Sequence, residues 1–162
     1  MPAENLLIRN ATPADVAAIM AMVQELAEFE KLTHLLDMTE QRLQEDLFGP
    51  RPVVYAVLAE VNSSPVAFGL YFENYSTFLT RRGLFLEDLY VRPAMRGQGV
   101  GKALLKHLGR VAFERGYGRF EWTVLDWNTN AIRFYESMGA SVLPDWRICR
   151  VTGDALKQLA QG

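Results

Sequence analysis

The chain has very little cysteine and histidine. Among its 162 residues are one cysteine, Cys149, and two histidines, His34 and His107. A single cysteine excludes an intrachain disulfide, and so few of these side chains do not predict a zinc or iron–sulfur site. We therefore expect a protein that folds and works without a metal.

Long apolar runs are also missing. No run approaches the roughly 18 residues that mark a membrane-spanning helix, and the opening residues MPAENLLIRN lack the pattern of a signal peptide. We expect a soluble cytoplasmic protein in a reducing compartment, with no membrane partner.

Acidic and basic side chains are nearly balanced, with a net charge of −2. A chain without a clear excess of positive charge is not expected to bind nucleic acid. The distribution is nevertheless uneven. Residues 1–60 hold ten acidic and four basic side chains, whereas the span from Arg92 to Arg119 holds seven bases and the single acid Glu114. This pattern suits an enzyme that joins a cationic substrate to a polyanionic one, although scattered surface charge gives the same counts.

Apolar side chains are plentiful, at 49% of the residues, and no repeat or low-complexity tract interrupts them. A chain of this length buries a sufficient core without cross-links, so we expect one domain over residues 1–162. Alternating or continuous apolar patterns predict strands at Leu6–Arg9, Val53–Glu60, Val66–Glu73, Leu84–Val91, Arg119–Leu125 and Trp146–Val151.

Helical spacing and end signals predict five helices. They are a helix opened by Thr12-Pro13-Ala14-Asp15 with an apolar stripe to Ala27, then Thr39–Phe48, Gly99–Arg115, a helix through Ala131 and Met138 that stops at Gly139, and Asp154–Ala160. The order of elements predicts a mixed α/β sheet, with a meander in its first half and a parallel βαβ unit in its second.

A glycine-rich turn follows the strand Leu84–Val91 and reads Arg96-Gly97-Gln98-Gly99-Val100-Gly101-Lys102. It lacks the glycine and hydroxyl positions of a Walker A loop and the third glycine of a Rossmann fingerprint. Glycines let several backbone N–H groups converge, and the helix that follows adds the positive end of its dipole. With the charges of Arg96 and Lys102, the turn predicts a diphosphate cradle; a glycine-rich helix start without a ligand is the alternative.

The run Arg96-Gly97-Gln98-Gly99-Val100-Gly101 resembles the acetyl-CoA pyrophosphate motif of the GNAT acyltransferase superfamily. The later run Trp127-Asn128-x-x-Ala131-Ile132-x-Phe134-Tyr135-x-x-x-Gly139-Ala140 resembles its second conserved block. Other segments, among them Glu25-Leu26-Ala27-x-Phe29-Glu30 and Leu86-Glu87-Asp88-Leu89-Tyr90-Val91, are similar to the spermidine/spermine (diamine) N-acetyltransferase branch. The resemblance covers nearly the whole chain and implies a single mixed, mostly antiparallel sheet flanked by helices, with a parallel βαβ cofactor half. It also implies acetyl-CoA as cosubstrate and a homodimer.

Acetyl transfer to an amine requires a base, because an alkylammonium with a pKa of about 10.4 is not nucleophilic. Glu87 is the candidate, since a lone carboxylate in so apolar a strand should have its neutral form favoured by desolvation. Strict alternation would place Glu87 and Asp88 on opposite faces, so we do not expect them to act as a pair. In the branch, the matching glutamate relays the proton of the amine through water; a carboxylate paired with an arginine is the alternative.

The leaving thiolate requires an acid, and the resemblance assigns that role to Tyr135. By spacing alone Tyr135 belongs to an apolar helix stripe, where a buried packing role is the alternative. The resemblance also implies that the backbone of Leu89, Tyr90 and Val91, where the strand splays, binds the acetyl carbonyl and pantetheine, beside Ala131. Asn128 either hydrogen-bonds the pantetheine or caps its helix, and both are compatible.

Substrate contacts in the branch match Phe29, Glu30, Glu121, Trp122 and Thr123, in addition to Glu87. An acidic, solvated helix end is the alternative for Glu30. The acidic stretch that precedes the final Trp in the polyamine enzymes is reduced here to Leu143-Pro144-Asp145, which favours a shorter amine or an amino acid over a long polycation.

These observations predict an acetyl-CoA-dependent N-acetyltransferase that acts directly on the primary amine of a small cationic metabolite, such as a diamine, a polyamine or a thialysine-like amino acid. Direct transfer is favoured because no cysteine is near the glycine turn. The alternatives are an acetyltransferase of protein lysines or N-termini, and a CoA-binding sensor without catalysis.

Overall fold

The computed structural model describes residues 3–162, which divide into two compact units. The first ends at Thr123 and the second is Val124–Gly162. The first unit contains strands β1 Leu6–Asn10, β2 Tyr55–Val61, β3 Ser64–Ser76, β4 Arg81–Val91 and β5 Phe120–Trp122, with helices α1 Val16–Glu30, α2 Glu40–Phe48 and α3 Val100–Glu114. The second unit contains α4 Thr129–Ser137 and α5 Gly153–Gln161.

The five strands form one sheet in the order β1-β2-β3-β4-β5. The pairs from β1 to β4 are antiparallel, and β5 lies parallel to β4 after the crossover through α3. This arrangement confirms the predicted mixed, mostly antiparallel sheet with a parallel βαβ half.

The two faces of the sheet carry different helices. On one face, α1 and α2 pack on the strands through Ile19, Met22, Leu47, Leu58, Phe68, Leu70 and Tyr90. On the other face α3 approaches closely at Gly69, where an added Cβ would lie 3.3 Å from Leu108 Cδ1 and 3.5 Å from Leu86 Cδ1. Each face of the sheet therefore has its own apolar core, with α1 and α2 packed on one face and α3 on the other.

A charged cluster fixes the start of α1. The Thr12 N–H donates to Asp15 Oδ2 at 2.7 Å, which confirms the predicted capping arrangement. The guanidinium of Arg9 in β1 donates to both oxygens of Asp15, at 2.7 and 2.9 Å, and to Glu60 of β2 at 2.6 Å. These bonds lower the pKa of the Asp15 carboxyl to about 2. A paired carboxylate thus ties the first helix to two strands.

The predicted strand Trp146–Val151 is wrong, because the segment has no regular structure. A period-two pattern becomes a strand only where another strand supplies hydrogen bonds, and the regular elements of the second unit are helices. Cys149, expected in that strand, is exposed. Within residues 3–162, no helix is long and apolar enough to cross a membrane.

Candidate active site

Strand β4 contains a bulge at Glu87. Asp88 is paired with Leu70, but Leu86 is paired with the very next residue of β3, so Glu87 is the extra residue. A bulge changes the alternation of the residues beyond it. Leu86 accordingly lies on the α3 face, whereas Tyr90 packs in the core beneath α1. Asp88, opposite a residue of that same core, faces α1 as well.

Two other carboxylates, those of Glu87 and Glu30, act electrostatically on Asp88 at the bulge. Burial is the main cause that raises the pKa of the Asp88 carboxyl to about 6, and the negative charges of Glu87 and of Glu30, the last residue of α1, contribute to the same shift. Burial also raises the pKa of Glu30. We call Glu30, Glu87 and Asp88 the acidic cluster. No ion pair within residues 3–162 neutralises any of its three members.

Two predictions for this strand are therefore wrong. We expected Glu87 and Asp88 not to interact, because alternation would separate them, yet the charge of Glu87 contributes to the raised pKa of Asp88. We also expected Glu87 to be the desolvated carboxylate, but Glu87 is exposed and burial acts on Asp88 instead. The bulge follows from the pairing of β4 with β3, so the alternating pattern of the sequence could not add Asp88 to the candidate residues.

Beyond the bulge, one edge of β4 is open. The parallel pairing with β5 ends at Leu86 and Trp122, which also explains why β5 is shorter than the predicted Arg119–Leu125. Among the described residues no strand pairs with the β5-side edge of β4 from Glu87 to Val91. This open edge includes Leu89 to Val91, the segment whose backbone would bind the acetyl carbonyl and pantetheine if the family resemblance holds.

The glycine turn has the conformation of an anion cradle. Gly97 and Gly99 have φ angles of 76° and 80°, and nothing lies within 4 Å of a Cβ added at either. The first helical bond of α3 joins Ala103 N to Gly99 O at 2.9 Å. The N–H groups of Val100, Gly101 and Lys102 therefore precede the helical ladder, at the positive end of the helix dipole. Glycine at these positions leaves open space beside those donors, which fits a diphosphate.

Arg96, the cation of this cradle, is held by aromatic rings. Its guanidinium carbon lies 5.1 Å from the ring centre of Phe29 at the end of α1 and 5.6 Å from that of Tyr90. Its Nε donates to the Val91 carbonyl at 3.0 Å. No ion pair among the described residues involves Arg96. The positive charge is therefore fixed in place without being neutralised, and Phe29 contacts the cradle side of the site.

The substrate-contact candidates on and just after β5 have surroundings that differ from those of the acidic cluster. Arg119 Nε lies 2.7 Å from Glu121 Oε1, and Asn74 Nδ2 donates to the same oxygen at 3.3 Å. The ring of Trp122 lies 4.9 Å from that of Phe120, and Thr123 is exposed. Glu121 is thus paired inside the protein, unlike the members of the acidic cluster.

The remaining candidates lie in the second unit. Asn128 Oδ1 accepts a hydrogen bond from Ala131 N at 3.3 Å, so the capping role of Asn128 is confirmed. Tyr135 is half-buried on α4, with its ring 5.4 Å from that of Phe134. Gly139, with a φ of 95°, follows the end of the helix as predicted.

Comparison with known proteins agrees with this geometry. The model of the acetyltransferase (GNAT) family matches residues 19–140. A thialysine N-epsilon-acetyltransferase of Mus musculus is 40% identical over 94% of this chain and 96% of that protein. An L-ornithine N5-acetyltransferase of Arabidopsis thaliana is 37% identical over 94% of this chain and 86% of that protein. The solved structure of an integron cassette protein from V. cholerae shares the fold, with a TM-score of 0.81 and 24% identity over 99% of this chain and 100% of that one.

Proposed function

The chain belongs to the acetyltransferase (GNAT) family, and on that premise we propose that it moves acetyl from acetyl-CoA to the primary amine of a small cationic metabolite. The observation that carries the proposal is that unneutralised charges of opposite sign lie at two positions along one strand. The acidic cluster lies at the bulge of β4, and Arg96 lies just beyond the end of the strand. A cation and a polyanion would each find a complementary charge.

The cradle residues fit the diphosphate of CoA. The free N–H groups at the start of α3 would hold it, with Arg96 and Lys102 supplying positive charge. When bound, acetyl-CoA supplies an acetyl group that is activated as a thioester. The open edge of β4 from Leu89 to Val91 would pair with an extended ligand as a strand does.

The acidic cluster would attract the ammonium group and accept its proton. Glu87, exposed at the bulge, is the proposed proton acceptor. Asp88, with its pKa raised to about 6, is ionised at neutral pH and would hold the positive charge beside it. Glu30 would bind a second cationic group of the substrate.

Tyr135 is the proposed proton donor to the thiolate that leaves. A phenol with an ordinary pKa of about 10 is suitably weak for that task. Direct transfer from acetyl-CoA to the amine is the proposed route, since the sequence places no cysteine near the cradle.

We infer a short substrate, a thialysine-like amino acid or a diamine, because Glu121 is paired with Arg119 and the acidic cluster has only three members. The names of the two relatives, which act on thialysine and ornithine, favour the same class. A homodimer in the cytoplasm is also proposed. The dimer is the assembly that the resemblance to the diamine N-acetyltransferase branch implies.

The experiment is CoA release from acetyl-CoA with thialysine, lysine, ornithine, putrescine, spermidine and a basic peptide. The proposal expects the highest kcat/KM for one of the small amines. Activity only on the peptide would indicate a protein acetyltransferase, and CoA binding without turnover of any amine would indicate a sensor. Sedimentation of the same sample tests the dimer, since a monomer at micromolar concentration would contradict it.

A further inference from the structure

A second cationic cleft lies at the other end of β4 from the cradle. It has a volume of about 380 Å³ and is lined by Glu73, Arg81, Arg82, Arg115, Gly116 and Tyr117. Arg81 and Arg82 begin β4, whereas Arg96 follows its end, so about ten strand residues separate the two sites, on the order of 30 Å. Arg115, Gly116 and Tyr117 directly follow α3, so the cleft lies at the C-terminal end of that helix.

The charges of this cleft do not balance. Among the residues that the structure describes, three arginines line it but only one carboxylate, that of Glu73. Arg82 Nη1 lies 3.5 Å from Glu73 Oε2, and Tyr117 Oη donates to Glu73 Oε1. Arg115 Nη1 donates to the Tyr117 oxygen at 3.3 Å. Arg81 makes no ion pair within residues 3–162.

One guanidinium group of the cleft, that of Arg115, is held in place by rings that lie beside the cleft. The rings of Tyr55 and Tyr71 stack at 5.5 Å, and the guanidinium carbon of Arg115 lies 5.9 Å from the ring centre of Tyr55. Arg115 is therefore held on two sides, by the stack and by Tyr117, as Arg96 is held by rings in the cradle. Guanidinium groups fixed in this way lose little freedom when they bind an oxyanion.

From this geometry we propose that the cleft is a second binding site, for a phosphate-bearing anion of the size of pyrophosphate or a mononucleotide. The fork of a guanidinium matches two phosphate oxygens, and three of them around one cavity suit a ligand with more than one negative charge. A cavity of about 380 Å³ is within the range of small-molecule sites. The carboxylate of Glu73 opposes the anion and sets its affinity.

The test is calorimetric titration of the full chain with inorganic pyrophosphate, in saturating CoA so that the cradle is occupied. We expect one further site, weakened about fivefold or more by Arg81→Ala, since charge-assisted hydrogen bonds are strong. Glu73→Gln should tighten it about threefold, because the change removes the opposing charge and damage to the fold would not increase affinity. Arg51→Ala, which removes an exposed arginine elsewhere, is the matched control and should change nothing.

Titration with AMP and citrate identifies the ligand chemistry. Tighter binding of AMP than of pyrophosphate would point to a nucleotide, and the reverse to a free phosphate; both support the proposal. Absence of heat with CoA present, a response equal in Arg51→Ala and Arg81→Ala, or binding of citrate alone would overturn it.

Discussion

Two groups of carboxylates in the first unit behave in opposite ways. At the start of α1, Asp15 receives both arms of Arg9 and its pKa falls to about 2. At the bulge of β4, burial and the charges of Glu87 and Glu30 raise the pKa of Asp88 to about 6. The first arrangement stabilises the fold, whereas the second costs stability until a cation arrives. The candidate site is therefore distinguished by carboxylates that have no cationic partner within the described part of the chain, and not by the mere presence of carboxylates.

The largest expected effect is on the exposed member of the acidic cluster. Glu87→Gln should lower kcat about 10²- to 10⁴-fold, because the amide cannot accept the proton of the amine. Initial rates with saturating acetyl-CoA and amine give the value. Glu114→Gln, at the exposed end of α3, is the matched control. Equal rates in Glu87→Gln and wild type would remove Glu87 from the mechanism.

Asp15→Asn tests the paired carboxylate at the start of α1. It should reduce the free energy of unfolding at pH 7 by about 2–3 kcal/mol, since Arg9 loses one of its two charged partners within residues 3–162 and keeps only Glu60. The pKa of Asp15 is lowered by folding, so this stabilisation is present above the ordinary aspartate pKa and is lost as pH falls toward 2. Urea unfolding at pH 7 and pH 3 measures it. A loss of similar size at both values would contradict the assignment.

Asp88→Asn should have the opposite effect on stability. Folding raises the pKa of Asp88, so its cost to the folded state is full above about pH 6 and absent below the ordinary aspartate range near pH 4. The variant should therefore melt at a higher Tm than wild type at pH 7 but not at pH 4. Its KM for the amine should rise about tenfold, with the loss of one charge contact.

In the wild type, the same titration should weaken amine binding. As pH falls through about 6, Asp88 takes up a proton and its attraction for the ammonium is lost. We expect the KM of the amine to rise below pH 6 and this rise to be absent in Asp88→Asn. An identical pH profile in the two proteins would assign the change to another group.

The smallest effect is expected at Phe29. Phe29→Leu removes one of the two rings against Arg96 and should raise the KM of acetyl-CoA about threefold, with no change in the KM of the amine. Steady-state kinetics with each substrate varied in turn separates the two. A change confined to the amine would mean that Phe29 contacts the substrate, as the family resemblance implied.

The cradle and the acidic cluster also differ in how far the sequence predicts them. The residues of the cradle follow one another in the sequence. Glycines such as Gly97 and Gly99, directly before a helix, indicate a left-handed backbone conformation. The cluster depends on a bulge that moves Asp88 to the α1 face and on packing that brings Glu30 near it, which a period-two pattern does not contain. For the same reason Trp146–Val151 has the pattern of a strand but no partner that would make it one.

The most direct test of the account is a matrix of initial rates for wild type, Arg96→Ala and Asp88→Asn, with acetyl-CoA and a small amine such as thialysine varied in turn. The account predicts that Arg96→Ala raises the KM of acetyl-CoA about tenfold and leaves that of the amine unchanged. It predicts the reverse for Asp88→Asn. If both variants raised the KM of the same substrate, or neither changed either value, the assignment of the amine to the acidic cluster and of CoA to the cradle would be wrong.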